Sequence, residues 1–154
     1  MTWPIAISLP TQLRSTHGSL IAVLPRGASD LGPFADGLLL PEPIAVVEAV
    51  ARWQREGSIA ARSAVQGLGQ LLSGMLSADG ITLLSSEGSI VGYNIFLHPG
   101  PGASIEAASL GGARHRAFQA LASQVGRTLV AAFVRSQDGY ADCRIADADD
   151  PVWG

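Results

Sequence analysis

The residues best equipped for chemistry are Gly111-Gly112-Ala113-Arg114-His115-Arg116-Ala117-Phe118. Two glycines lead into a helix start, and two arginines flank a histidine on its first turn. A helix N-terminus offers backbone N–H groups outside the helical ladder, together with the positive end of the macrodipole. Glycines let an anion approach that backbone closely. Arginine adds a planar fork of donors shaped for phosphate oxygens. These features share one preferred ligand, a polyanion such as a nucleotide phosphate. A glycine-rich loop followed by solvated basic residues fits the same letters. Arg114 and Arg116 are two apart on a helix and point to different sides, so both reach one phosphate chain only if it meets the first turn end-on. His115 either bonds phosphate or packs.

Upstream, Ser77-Ala78-Asp79-Gly80 precedes the apolar run Ile81-Thr82-Leu83-Leu84. Asp-Gly is a common turn pair. Beside a phosphate cluster, the Asp79 carboxylate can also hold Mg²⁺ or Mn²⁺ against phosphate oxygens and help a ribose hydroxyl lose its proton. Ser136-Gln137-Asp138-Gly139 reads as a hairpin turn, with Ser136 a further candidate near the phosphates. His17, His98 and His115 lack metal-ligand spacing. His98 and Glu106 fall in a loop running from His98 to about Leu110. There is no Walker-type phosphate loop, which needs a lysine the chain does not have. No nucleophile-elbow pattern supports Ser/His/Asp catalysis.

The order of these pieces (Asp-Gly, strand, tight turn, strand, irregular loop, Arg-His-Arg helix start) resembles the diadenylate cyclase domain family. That family carries Asp-Gly-Ala at a strand start and Gly-Thr-Arg-His-Arg opening a helix; the matching residues here are Asp79-Gly80-Ile81 and Gly112-Ala113-Arg114-His115-Arg116. His17-Gly18-Ser19 to Leu24 resembles the family's glycine-led first core strand. Leu129 to Gly139 resembles its late strand. The resemblance spans roughly Gln12 to Arg144. It implies an α/β domain that condenses two ATP molecules into cyclic di-AMP and releases pyrophosphate, in a homo-oligomer with face-to-face sites. It assigns catalysis and Mg²⁺ or Mn²⁺ to Asp79. It assigns nucleotide or phosphate binding to Gly80, Ile81, Gly112, Ala113, Arg114, His115, Arg116 and Ser136. Two positions depart from the family: Ile81 replaces a small alanine, and Ala113 replaces a threonine whose hydroxyl can bond phosphate. Both departures favour the alternative, a degenerate sensor that binds a nucleotide or cyclic dinucleotide without turnover. A structural domain without ligand is the third reading.

Composition bounds these readings. The chain has 154 residues, the size of one domain, with 47% hydrophobic and 15% charged residues, enough apolar material for a core. Its formal net charge is -3, and all 10 of its positive residues are arginine. An acidic chain without a basic run argues against a nucleic-acid groove, whereas a small nucleotide needs only a local cluster. The single cysteine, Cys143, excludes an intrachain disulfide and fits a reducing, cytoplasmic setting. No apolar run is long enough for a membrane span.

The elements that must position the candidates follow from spacing. Ser19 to Leu24 reads as a buried strand. Gly37 to Leu40 reads as a second, stopped by Pro41, with Pro43 opening a helix that carries Ile44, Val47, Val50 and Ala51. Ser58 is an N-cap for a helix with an apolar stripe of Ala64, Leu68, Leu71, Leu72 and Met75. Gly80–Leu84 and Ser89–Leu97 form a hairpin around Ser85-Ser86-Glu87-Gly88. Ala113 to about Val125 is a helix, with Phe118, Leu121, Ala122 and Val125 inward and Gly126 at its C-cap. Leu129–Val134 and Tyr140–Ile145 close the fold. The expected architecture is a single α/β domain, a mixed sheet with helices on its faces, with a core of about residues 12–145 and an acidic tail, 146–154, as a frayed end or link.

Overall fold

The structure, a computed structural model, describes residues 18–28, 31, 34–97 and 112–153. It is an α/β domain. Among the described residues a six-stranded mixed sheet carries three helices. The strands are β1 (Ser19–Leu24), β2 (Phe34–Ala45), β3 (Ile81–Ser85), β4 (Ser89–Leu97), β5 (Ala131–Arg135) and β6 (Ala141–Ile145); the helices are α1 (Val46–Glu56), α2 (Ile59–Ser77) and α3 (Ala113–Ala122). The strand order is β2-β4-β3-β1-β5-β6. β1 pairs parallel with β3 and antiparallel with β5.

The continuous apolar run of β1 is explained by cover on both faces of the sheet. Leu20, Ala22 and Leu24 pack with Ile81, Leu83, Ala132 and Val134 under Phe118 and Leu121 of α3. Ile21 and Val23 face the other way, against Leu72, Met75 and Leu76 of α2. Side chains alternate along a strand, so one apolar run supplies both cores. Ile81 and Leu83 share the α3 side, and Ile81 is only 2% exposed.

Several expected features are present. Ser58 accepts the Ala61 N–H at 3.2 Å as N-cap of α2. β4 spans Ser89–Leu97, and Gly88 N–H closes the hairpin on the Ser85 carbonyl at 2.9 Å.

Other expectations are corrected. β2 does not stop at Pro41, and Pro43 does not open α1; the strand runs through both prolines to Ala45. β2 is an edge strand, and its pairing with β4 shifts register between Leu39 and Ile44, where the prolines lie. An edge strand tolerates residues that cannot donate to the ladder. Ile44 therefore belongs to a strand. In α2 the buried residues are Ala61, Leu72, Met75 and Leu76, whereas Ala64 and Leu71 are exposed. Successive helical residues point about 100° apart, so Leu72, Met75 and Leu76 meet the sheet-side core while Leu71 turns away from it. α3 ends at Ala122 with Ser123 as its C-cap, and Gly126 sits in the following turn. The tail is not frayed over its described residues: Asp147 N–H bonds the Asp150 carboxylate at 2.7 Å, and Val152, 8% exposed, joins the α2-side core.

No helix among the described residues is long and apolar enough to cross a membrane. His17, the loop residues His98 and Glu106, Gly111, and Ser29, Asp30, Gly32 and Pro33 lie outside the described residues.

Candidate phosphate site

One end of the sheet gathers the start of β1, the start of β3, the end of β5 and the first turn of α3. Asp79 stands at the bend before β3 and is exposed. Gly80 makes that bend possible. Its φ is +90°, and a Cβ there would lie 2.9 Å from the Ile95 carbonyl oxygen, so both conformation and space demand glycine. Asn94 beside it, at φ +53°, marks the irregularity in β4 that brings this backbone close.

Arg114 is the second residue of α3. Its Nη2 donates to Asp79 Oδ1 at 3.2 Å. The two side chains differ in exposure, 32% for Arg114 and 88% for Asp79. The guanidinium rests against backbone. A Cβ on Gly18, at φ +133°, would lie 2.8 Å from Arg114 Nη1, 3.2 Å from its Cζ and 3.4 Å from the Arg135 carbonyl oxygen. Gly18 leads into β1, all six residues of which are buried, so the backbone beside Arg114 is firmly held.

At the N-cap, Gly112 has φ -64° and ψ 171°, and no side-chain cap bond is made. Its carbonyl accepts the His115 and Arg116 N–H groups at 3.0 and 3.2 Å, which leaves those of Ala113 and Arg114 outside the helical ladder. A side chain at Gly112 would meet open space. Packing therefore does not require glycine there. Ala113 is exposed and carries no hydroxyl.

The remaining candidates divide. Arg116 is exposed, on a different side of α3 from the partly buried Arg114. The His115 ring meets Tyr140 edge to face, with centroids 5.5 Å apart. Ser136 lies at the end of β5, where its hydroxyl donates to the Asp138 carboxylate and, at 3.4 Å, to the Tyr140 carbonyl. That bond, with backbone N–H groups, holds the Asp138 carboxyl below its ordinary value of 3.8. The Ile81 side chain is 2% exposed and packs in the α3-side core.

Among the described residues no three His, Cys, Asp or Glu side chains gather as a metal cluster. Asp79 alone suits the mode in which Mg²⁺ is bound by one carboxylate together with ligand phosphates and water. A cleft of about 390 Å³ opens between α3 and β6, lined by Phe118, Gln119, Ala122, Ser123, Asp142, Cys143 and Arg144. Its lining includes none of Asp79, Gly80, Ile81, Gly112, Ala113, Arg114, His115, Arg116 and Ser136.

Sequence reasoning missed Gly18 and Tyr140. Gly18 was visible as the leader of a buried strand, but its contact depends on α3 crossing the end of β1. Tyr140 carried no pattern beyond its place after a turn. No protein-family model matches the chain, and no curated protein matches it.

Proposed function

We propose that this chain is a nucleotide-binding domain of the diadenylate cyclase type, acting on ATP. The observation that carries the reading is the 3.2 Å contact between Arg114 Nη2 and Asp79 Oδ1. It joins the two motifs that sequence alone linked only by resemblance, at a helix N-terminus suited to phosphate. Arg114 and the first-turn N–H groups bind phosphate oxygens, and Arg116 adds positive charge beside them. Asp79 would hold Mg²⁺ or Mn²⁺ against the phosphates, where the ion supplies charge neutralisation and acidifies the 3′-hydroxyl. Two protomers face each other. Each ATP 3′-oxygen attacks the α-phosphorus of the other nucleotide. Two new P–O bonds form, two α–β bridges break, and two pyrophosphates and two protons leave. Catalysis of this kind rests on positioning and charge stabilisation. Because Ile81 is buried core, its departure from the family alanine does not weigh against turnover. The exposed single cysteine fits a cytoplasmic setting.

A second reading keeps the site and drops the chemistry. It is favoured by Ala113, an exposed methyl at the first helical position where the family has a hydroxyl. Incubation with ATP and Mn²⁺, followed by chromatography for cyclic dinucleotide, separates the two. Product formation supports the cyclase. Nucleotide binding without product under any divalent metal supports the sensor.

A further inference from the structure

The two edges of the sheet are built differently. β2 is guarded by Pro41, Pro43 and three register shifts. β6, at the other edge, has neither proline nor bulge; all five of its residues pair with β5 in unbroken register, and all five are exposed. Among the described residues no strand pairs with this edge, and natural sheets rarely leave so regular an edge without cover. The direction of its free side follows from the ladder. Ser136 N–H bonds the Tyr140 carbonyl and Ala146 N–H bonds the Val130 carbonyl, both at 2.8 Å. Antiparallel pairs alternate between bonded and non-bonded. Asp142 and Arg144 therefore face β5 with their backbone groups, while those of Ala141, Cys143 and Ile145 point outward. The Cys143 N–H, bonded 2.8 Å away to the neighbouring Asp142 carboxylate, agrees with this phase.

We propose that β6 is the docking edge for a second copy of this chain, the two β6 strands running antiparallel about a two-fold axis at Cys143. The sequence Ala141-Asp142-Cys143-Arg144-Ile145 is self-complementary in that register. Asp142 lies opposite Arg144 of the partner subunit, and Arg144 lies opposite the partner's Asp142. Both are non-bonded pairs, where side chains approach most closely. Among the described residues Arg144 has no ion-pair partner within the chain. Centring the pairing one residue earlier or later sets Asp142 against Asp142, or Arg144 against Arg144, which is unfavourable. On the opposite face, Ile145, 56% exposed, covers the partner's Ala141. The Cys143 N–H passes to the partner's Cys143 carbonyl, which releases Asp142 Oδ1 for the partner's Arg144 while Oδ2 keeps the Tyr140 hydroxyl at 2.9 Å.

This association stands apart from the nucleotide reading. The candidate phosphate site lies at the Ala141 end of β6, beside Arg135. An antiparallel two-fold points the two sites in opposite directions and leaves both open.

Cys143 is the single cysteine, so a short bismaleimide reports this contact alone. The wild-type chain should give one cross-linked dimer and should move from monomer to dimer in sedimentation as concentration rises. Asp142→Arg and Arg144→Asp should each weaken association roughly tenfold, because opposed like charges replace two ion pairs. The double swap Asp142→Arg/Arg144→Asp should restore it. A monofunctional maleimide should label Cys143 equally in every chain. If either single variant fails to fold, the double swap against wild type still decides. A monomer at all concentrations, a dimer indifferent to both single changes, or a double swap that does not recover overturns the proposal.

Discussion

Arg114 Nη2 donates to Asp79 Oδ1 at 3.2 Å, tying the first turn of α3 to the start of β3 across thirty-five residues of sequence. An ion pair with one partner this exposed contributes at most about 1 kcal/mol. Full burial of a single leucine contributes about 1.5 to 3 kcal/mol, and both cores hold several. Stability therefore does not account for the contact. What it supplies is position: a cation and a carboxylate held at one helix N-terminus, with the cation laid on the backbone of Gly18.

Gly18→Ala should weaken ATP binding. The added methyl would lie 2.8 Å from Arg114 Nη1, so the guanidinium must move. Backbone strain at φ +133° is a separate cost. Gly139→Ala supplies the control, being at φ +90° with nothing within 4 Å. Titration should show lost affinity for Gly18→Ala and none for Gly139→Ala. In an Arg114→Ala background, Gly18→Ala should remove no further affinity. A further loss there would mean that Gly18 acts by another route.

Asp79→Asn should fold and should not make product. Asn keeps the size and turn preference of Asp but lacks the charge that holds a divalent metal. Urea unfolding should change by no more than about 1 kcal/mol, the worth of an exposed ion pair. Cyclic dinucleotide made by this variant at the wild-type rate would remove Asp79 from metal binding.

Much of this fold was legible because the relevant physics is local. The turn Ser85-Ser86-Glu87-Gly88 and its flanking apolar runs specify a hairpin, and Ser58 specifies a helix start. The features that were not legible depend on neighbours distant in sequence. Pro41 and Pro43 read as strand breakers until β2 is known to lie at an edge. Val152 sits in an acidic tail, yet Ala146 and Val130 offer it a core to join. Leu71 fits the helical stripe but turns to solvent, because the sheet meets the face of α2 that carries Leu72, Met75 and Leu76. At the candidate site, the residue types of Asp79 and Arg114 were readable. Their contact was not, because it requires β3 to lie beside β1 with α3 across the end.

Ile81→Ala tests which face that residue serves. At 2% exposed among Leu83, Ile95 and Phe118, it should cost about 2 to 5 kcal/mol on truncation, through lost burial and a residual cavity. A thermal melt should fall well below wild type, and adenine-nucleotide affinity should not rise. A variant of near wild-type stability that binds ATP more tightly would place Ile81 in the pocket.

Calorimetric titration of ATP with Mg²⁺ into the wild-type chain, and into Arg114→Ala and Arg116→Ala, tests the phosphate site most directly. A charge-assisted hydrogen bond is worth about 1.5 to 3 kcal/mol. The wild-type chain should bind, and each variant should bind roughly tenfold more weakly or worse while melting as a folded protein. No heat with wild type, or equal affinity in all three chains, would contradict a nucleotide phosphate at the start of α3.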